Sequence, residues 1–311
     1  MIQHTEDTAA VALDMNLVHE AIVQLARQAS IEINVQDAPH LQDARKFLSA
    51  GTGIFVSHLP KQAWQATVSA CKAVRAAGFE PVPHIPVRLL PTAESFDQLL
   101  SDLVAQAQVK DLLLISGDYP QAAGPFSTVA DAMRTGLLNK HGMANLSVAG
   151  HPEGHPKVSM DEIRRAEVEK ATLAQQSGLQ LSLITQFFFE HQPFLNWVDE
   201  MRKRGVEARI VGGLAGPAGL TTLFKFAVRC GAGPSIRALG ARPTSLMKLV
   251  GERGPETVVR GLAEAKVAGT TDFAGVHLFC FGGFLKTCEW LHAVAAGRLK
   301  LDDRGGFEVK R

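Results

Sequence analysis

The chain alternates short β-rich runs with longer stretches of helical periodicity over most of its length. Short apolar runs that each lead into a helical stretch are typical of parallel βα units rather than of antiparallel sandwiches. Eight such units favour a (β/α)8 TIM barrel, of class α/β, over an open doubly wound sheet. The strands are predicted at 30–35, 54–57, 80–84, 111–116, 145–149, 180–186, 207–211 and 275–279.

Helical stretches separate these strands. They are predicted at 38–50, 61–77, 93–107, 128–139, 160–177, 194–204, 220–230 and 256–268, with two more at 243–251 and 284–296. The amphipathic stretch 17–26 predicts an N-terminal helix that covers the bottom of the barrel. We therefore expect an N-terminal helical extension over 1–27, one barrel domain over 28–300 and a C-terminal tail over 301–311.

Composition argues against several classes of partner. The 311 residues include 32 basic and 31 acidic side chains, so the formal net charge is +1 and no general attraction to nucleic acid or to an anionic membrane is expected. The sequence shows no secretory signal pattern and no stretch of about 18 apolar residues. We expect a cytoplasmic protein that binds a small molecule, and homo-oligomer formation is left open.

The cysteines have no spacing typical of a metal site. We expect buried free thiols in a reducing compartment for Cys71, Cys230, Cys280 and Cys288.

Polar side chains stand at the predicted C-terminal ends of successive strands. In a parallel barrel these ends meet at one rim, so residues that are far apart in the chain form one pocket. The sequence therefore predicts a site that contains Glu32, His84, Asp118, Glu153, His155 and Gln186.

Glu32 and His84 each allow two interpretations. If Glu32 faces into the barrel, burial raises the pKa of its carboxyl and makes it a proton donor near neutral pH. If Glu32 faces the helices, a salt bridge to a lysine or arginine explains it equally well. His84 ends a proline-flanked strand, and it is either a cofactor ligand or general base, or a histidine of the core.

Asp118 and Gln186 supply groups that suit a flat heterocycle. Asp118 follows Gly117 at the end of an apolar strand, where its carboxylate is an acceptor for paired N–H donors or else begins a turn. Gln186 offers a donor and an acceptor, and the three phenylalanines after it give a surface for stacking. These groups indicate a planar ligand more specifically than an ordinary core.

Two further motifs are ambiguous. The segment His151–Pro156 places two histidines around Glu153, yet a proline-bounded loop does not bring both imidazoles to one helical face, as a zinc site would need. The glycine-rich runs 211–219 and 281–284 follow the seventh and eighth predicted strands, where barrels often bind phosphate. Neither run is a dinucleotide-binding fingerprint.

In order along the chain, these motifs resemble the methylenetetrahydrofolate reductase family from about residue 28 to residue 295. The resemblance is carried by Ile-Glu-Ile, Pro-His-Ile, Ser-Gly-Asp-Tyr-Pro, His-Pro-Glu-Gly-His-Pro and Ile-Thr-Gln-Phe-Phe-Phe-Glu. It implies a (β/α)8 barrel in which NAD(P)H reduces FAD, and the flavin passes hydride to 5,10-methylenetetrahydrofolate.

The resemblance also implies roles for individual residues. Glu32 matches the general acid that protonates N10 of the folate, so that the five-membered ring opens to an iminium at N5. Asp118 matches the aspartate that binds the pterin and tunes the flavin, and Gln186 matches a glutamine that contacts substrate. Phe188 and Leu220 complete the implied substrate site. Implied cofactor contacts come from His58, His84, Ser116, Gly117, His151, His155 and Lys170.

The chain departs from the family pattern on the flavin side. Ser116 stands where flavin-binding members have arginine, and His151 stands where they have tyrosine. The stretch Glu167–Ala174 lacks the family's asparagine and Arg-Lys pair, and we expect Lys170 to be the only cation near the flavin phosphates. Each lost charge-assisted hydrogen bond is worth about 1.5–3 kcal/mol. We therefore expect a tetrahydrofolate-dependent NAD(P)H oxidoreductase of one-carbon metabolism and methionine biosynthesis that binds FAD weakly or not at all.

Two other functions fit parts of the pattern. One is a folate-binding barrel that acts in methyl transfer without redox chemistry. The other is a metal-dependent lyase or hydrolase that uses His151, Glu153 and His155.

Overall fold

A computed structural model describes residues 13–230 and 252–310, and its centre is a closed barrel of eight parallel strands. Strand β1 (Ser30–Ile33) pairs with β2 (Gly53–Val56) on one side and with β10 (Gly275–Phe279), the last barrel strand, on the other, so the sheet has no open edge. The predicted barrel is confirmed. Its strands are β1 Ser30–Ile33, β2 Gly53–Val56, β3 Glu80–Pro86, β4 Leu113–Ile115, β5 Asn145–Gly150, β6 Gln180–Phe188, β7 Arg209–Ala215 and β10 Gly275–Phe279.

Helices surround the barrel, and short sheets lie outside it. The helices are α1 Met15–Arg27, α2 Leu41–Ala44, α3 Trp64–Ala76, α4 Ala93–Ala107, α5 Val129–Arg134, α6 Leu137–Lys140, α7 Met160–Gln176, α8 His191–Lys203, α9 Leu220–Cys230, α10 Glu256–Val267 and α11 Phe284–Ala295. Strands β8 Ala218–Gly219 and β9 Glu252–Arg253 form one small sheet, and β11 Leu299–Leu301 and β12 Phe307–Val309 form another.

The strands send alternate side chains to two different cores. Ile31 and Ile33 of β1 are buried in the large core between the strands and the helices. Glu32 lies between them in sequence and therefore faces the barrel interior, because side chains alternate across a strand. A smaller cluster fills that interior and is made of Phe55, Val82, Leu113 and Ile184.

The structure differs from the predicted elements in several places. The predicted helix 38–50 is replaced by a 3-10 helix at Val35–His40 and the single turn α2, because Asn34 caps the former through Gln36 N and Pro39 lies inside it. The predicted N-terminal helix is present as α1, which packs against α10 and α11. That it covers the bottom of the barrel stays a prediction. The predicted helix 243–251 lies outside the described residues.

Strand β7 is longer than predicted and contains part of the first glycine-rich run. Gly212 and Gly213 are strand residues, so they do not form a phosphate-binding loop. A Cβ at Gly213 would lie 2.3 Å from the carbonyl oxygen of Thr185, and one at Gly212 would lie 3.2 Å from the Phe188 ring. These glycines allow close packing of β6 against β7.

Cys71, Cys280 and Cys288 are free and buried, as expected, while the Cys230 side chain lies outside the described part of the chain. Among the helices of that part, none combines the length and the apolar character needed to span a bilayer.

Replacing Asp111 by asparagine is expected to stabilise the protein at neutral pH. Burial raises the pKa of the Asp111 carboxyl from 3.8 to about 6, although Ser147 Oγ lies 3.3 Å from Oδ2. The folded state therefore binds the proton more tightly than the unfolded state. Below about pH 4 the raised pKa does not change the free energy of unfolding. Between about pH 4 and pH 6 the loss of stability grows with pH, and above about pH 6 it is constant.

The full shift corresponds to about 3 kcal/mol, and partial exposure reduces it to roughly 1–2 kcal/mol. Urea unfolding of Asp111→Asn across this pH range should show a gain that grows with pH. The exposed Asp303→Asn serves as the control and should change the free energy of unfolding by less than about 0.5 kcal/mol. A gain that does not depend on pH would contradict the expectation.

Candidate functional site

The C-terminal ends of β4, β5 and β6 and one face of α7 enclose a cavity of about 730 Å³. This volume falls within the usual range of small-molecule sites. The sequence-predicted residues that line it are Ser116, Gly117, Asp118, His151, Glu153, His155, Lys170, Gln186 and Phe188.

The other predicted polar residues do not line this cavity. Glu32 and His84 lie inside the mouth of the barrel, on β1 and β3, and His58 follows β2. Aromatic rings connect the two regions, because Phe279 contacts His277 with ring centroids 4.9 Å apart and Phe187 with centroids 5.8 Å apart. Phe187 in turn lines the cavity. The single predicted pocket is therefore two adjoining regions.

Glu32 lies between two imidazoles inside the barrel mouth. Its Oε2 is 3.5 Å from Nε2 of His84 and 3.9 Å from Nε2 of His277, and its side chain is 21% exposed. Burial alone would raise the pKa of the carboxyl, but the His84 and His277 imidazoles and the Ser57 side chain together outweigh it and lower the pKa. The expectation of a raised pKa is therefore wrong for the ligand-free protein.

His277 is a site residue that the sequence did not reveal. Its Nδ1 lies 2.8 Å from Ser30 Oγ, which fixes the ring, while its Nε2 is directed at Glu32. A single histidine in an apolar strand is usually a residue of the core. The pairing of β1 with β10 places Ser30 opposite His277, and only this pairing shows that His277 faces the barrel mouth.

His58 stacks on Trp64 at the mouth of the barrel. The ring centroids are 3.8 Å apart, and His58 Nδ1 lies 2.8 Å from Thr67 Oγ1. Burial and the nearby His84 lower the pKa of His58 to about 4, so the ring is neutral at physiological pH. His58 therefore provides a rigid, uncharged surface.

Asp118 projects into the cavity from the turn after β4. Gly117 has φ +84°, and a Cβ there would lie 2.8 Å from the Tyr119 ring, so this turn requires glycine. The Asp118 side chain is 74% exposed, and its Oδ1 lies 3.4 Å from His155 Nε2. Because His155 Nδ1 accepts from Lys157 N, the ring hydrogen is on Nε2 and points towards Asp118.

Gln186 and the phenylalanines after it divide between the two sides of β6. Gln186 Oε1 accepts from Phe187 N at 3.1 Å, which leaves its amide hydrogens directed elsewhere. Phe187 belongs to an aromatic group with Phe189, Phe226, Phe279 and Phe281.

The structure gives less support to the two remaining implied substrate contacts, Phe188 and Leu220. The Phe188 ring stacks on Phe194 of α8, so its main contacts are in the outer core. Leu220 is the first residue of α9, and its side chain lies outside the described residues.

The α7 wall of the cavity carries a buried ionic network. Glu167 is 0% exposed and accepts from His151 N at 2.9 Å, from Arg164 Nη1 at 3.0 Å and from Trp197 Nε1 at 3.3 Å. Arg164 also contacts Glu200 Oε2 at 3.0 Å. The guanidinium is therefore committed to carboxylates within the protein.

Within the described residues, the cations that line the cavity are Arg88, Lys157 and Lys170, so the expectation that Lys170 is the only cation nearby is wrong. Lys170 Nζ donates to Ala149 O at 3.0 Å, and burial lowers the pKa of Lys170 to about 8. Arg88 donates to Ser127 O and Tyr119 O. Burial and nearby cations, Lys170 foremost, lower the pKa of His151 to about 3, which leaves that ring neutral.

The His151–His155 segment does not form a metal-binding arrangement in the described residues. The two rings meet edge to face with centroids 5.9 Å apart. Within residues 13–230 and 252–310, no group of three His, Cys, Asp or Glu side chains is placed to hold a metal ion.

Comparison with known proteins identifies one family. The family model described as methylenetetrahydrofolate reductase matches residues 56–232, more than half of the chain. The 5,10-methylenetetrahydrofolate reductases of Pectobacterium carotovorum subsp. carotovorum and Salmonella typhimurium are 28% and 26% identical over 164 residues, 52% of this chain and of each relative. Methylenetetrahydrofolate reductase (NADH) 1 of Arabidopsis thaliana is 28% identical over 149 residues, 43% of this chain and 24% of the relative.

The match spans about half the length of the bacterial relatives and less of the plant protein. Among solved structures, the dihydropteroate synthase of Thermus thermophilus superposes with a TM-score of 0.46 and 11% sequence identity. The superposition covers 84% of this chain and 92% of the synthase chain.

Proposed function

The chain belongs to the methylenetetrahydrofolate reductase family, and we propose that it interconverts 5,10-methylenetetrahydrofolate and 5-methyltetrahydrofolate by hydride transfer with NAD(P)H. The observation that carries this proposal is the placement of the Glu32 carboxyl inside the barrel mouth, beside a cavity that contains Asp118 and Gln186. A proton donor and a set of pterin-binding groups are the two parts that this reaction needs from the protein.

Glu32 is the proton donor in this proposal. Reduction needs a proton on the folate nitrogen N10, so that the five-membered ring opens and an iminium forms at N5 to accept hydride. In the ligand-free protein the neighbouring imidazoles favour the ionised carboxyl. A bound folate covers the mouth of the barrel, excludes water and raises the pKa of Glu32, because desolvation disfavours the charged form. The carboxyl then holds the proton that it delivers.

Asp118 and Gln186 bind the pterin in this proposal. The exposed Asp118 carboxylate can accept two parallel N–H bonds from the 2-amino and N3 edge of the ring, and His155 Nε2 orients it. The Gln186 side-chain oxygen accepts a hydrogen bond from Phe187 N. The amide N–H groups of Gln186 point in another direction and can donate to the pterin. Phe187 and the rings around it offer an apolar surface for the remainder of the folate.

The residues of the α7 wall fit an FAD diphosphate poorly. Arg164 is paired with Glu167 and Glu200, and Lys170 donates to a backbone carbonyl. Glu162, Glu167 and Glu169 also line the cavity, so the wall has more acidic than basic side chains. We therefore infer that this chain binds flavin weakly or not at all, and no step of the proposed reaction is assigned to it.

The absorbance of the purified protein near 450 nm tests this inference about flavin. The expected spectrum has no flavin band, and titration with FAD should give at most weak, non-stoichiometric binding. Replacing Glu169 by lysine adds a cation to the exposed face of α7 and should strengthen any FAD binding, whereas a lysine at the distant Glu20 should not. Stoichiometric flavin in the protein as purified would contradict the inference.

The proposed function is tested by turnover and product identification. The protein is incubated with 5,10-methylenetetrahydrofolate and either NADH or NADPH, with and without FAD, and the folates are separated by liquid chromatography and mass spectrometry. Formation of 5-methyltetrahydrofolate with equal consumption of the nicotinamide is the expected result. Folate binding without any redox turnover would instead indicate the methyl-transfer alternative.

A further inference from the structure

His84 has a buried nitrogen without a hydrogen bond in the described structure. The residue is 8% exposed, and its Nε2 is one of only two buried side-chain polar atoms without a hydrogen-bond partner among the described residues. Leaving such a group unsatisfied costs about 1–3 kcal/mol. Glu32 Oε2 lies 3.5 Å from this nitrogen, beyond normal hydrogen-bond length.

The two imidazoles around Glu32 are held differently. His277 is fixed through Nδ1 by Ser30 Oγ. His84 contacts the Phe55 ring edge to face, with centroids 6.0 Å apart, and its Nε2 remains available to the carboxylate. A movement of about half an ångström would bring His84 Nε2 and Glu32 Oε2 to normal hydrogen-bond distance.

We propose that His84 is a positioning residue for Glu32, whose Nε2–H binds the carboxylate that remains after Glu32 has given its proton to the folate. In this step the Glu32 O–H bond breaks and a new N–H bond forms on the substrate amine. The electron pair left on the carboxylate oxygen then accepts the His84 hydrogen. This inference rests on the proposed function and gives His84 a role other than that of a cofactor ligand.

The surroundings of Glu32 support a neutral donor at this position. Burial and the nearby His277 lower the pKa of His84 more than Glu32 raises it, so the ring is uncharged at neutral pH. In the part of the chain that the structure describes, the other groups that interact with Glu32 are His277 of β10, Ser57 after β2 and Cys280 after β10. Burial raises the pKa of the Cys280 thiol well above its usual value, so it carries no charge near neutral pH.

The test compares His84→Phe, which removes the N–H, with His84→Gln, whose amide can place an N–H near the same point. In wild-type protein, kcat/KM for the folate should fall as the pH rises through the pKa of Glu32. Losing the N–H disfavours the carboxylate, so His84→Phe should move that fall to higher pH by about one unit or more and lower the rate at low pH. His84→Gln should restore most of both effects. His141→Gln, outside the barrel beside Asp97, is the control.

A second measurement does not depend on turnover. Carbon-13 labelling of glutamate carboxyls allows the titration of Glu32 to be followed in the ligand-free protein, with Glu32→Gln for assignment. The acid dissociation constant should decrease about tenfold in His84→Phe and recover in His84→Gln.

An unchanged Glu32 titration and an unchanged pH profile in His84→Phe would overturn the proposal. An increase only in the KM for the nicotinamide would overturn it in favour of a cofactor-binding role. If the wild-type protein does not reduce the folate, the proposed function fails while the titration still reports whether His84 acts on Glu32.

Discussion

Replacing Glu32 by glutamine is expected to lower kcat for reduction of 5,10-methylenetetrahydrofolate by a factor of about 100 to 10,000. Glutamine has nearly the same shape but cannot give up a proton, so ring opening at N10 loses its donor. Among the described residues, the basic side chains within 4 Å of this carboxyl are the His84 and His277 imidazoles. No lysine or arginine in that part of the chain pairs with it, so a structural salt bridge does not explain its position. Steady-state kinetics with a saturating nicotinamide measure the loss.

Stability and binding serve as controls for this prediction. Glu32→Gln should retain folate binding, measured by fluorescence quenching or calorimetry, because Asp118 follows β4 and Gln186 belongs to β6, away from β1. Glu20→Gln on the exposed side of α1 should leave kcat unchanged. A Glu32→Gln protein with at least one tenth of wild-type turnover would show that the proton comes from another source.

Replacing Arg164 by methionine is expected to destabilise the protein by about 3–5 kcal/mol, because it leaves the fully buried Glu167 carboxylate without its cation. Arg164 also donates to the carbonyl oxygen of His151 at 3.0 Å, so the loop that carries His151 and His155 should loosen as well. Urea unfolding monitored by tryptophan fluorescence provides the measurement, since Trp197 Nε1 bonds to Glu167.

A neighbouring arginine and a double variant complete that experiment. Arg165→Met removes an exposed guanidinium one residue away and should change the free energy of unfolding by less than about 0.5 kcal/mol. Adding Glu167→Gln to Arg164→Met removes the unpaired charge and should recover part of the loss. A loss below about 1 kcal/mol in Arg164→Met would mean that the buried carboxylate is neutral or finds another partner.

The architecture was predictable from the sequence because each βα unit has a strong local pattern. The prediction failed where a residue type has two uses. The predicted seventh strand stopped at residue 211, yet Gly212 and Gly213 lie within β7, where the absence of a Cβ lets the Phe188 ring and the Thr185 carbonyl approach. The segment predicted as the helix 38–50 begins instead as a 3-10 helix at Val35–His40, because Asn34 caps that helix and Pro39 lies inside it.

The candidate site was predictable only in part. Strand-end position predicted one pocket with Glu32, Asp118 and Gln186, because parallel strands share one rim. Asp118 and Gln186 do line the cavity, but Glu32 lies in the adjoining barrel mouth. The role of His277 depends on barrel closure, which brings it next to Ser30 across 247 positions of sequence. The direction of the Glu32 pKa shift was wrong for the same reason, since neighbouring imidazoles set it and only the folded chain supplies them.

A crystal structure of the protein with 5-methyltetrahydrofolate tests the central claim most directly. The pterin should lie in the cavity with its 2-amino and N3 edge on the Asp118 carboxylate and within hydrogen-bond distance of the Gln186 amide. The folate N10 should lie on the side of Glu32 and His84. A pterin bound elsewhere, or one in the cavity without contact to Asp118, would contradict the claim.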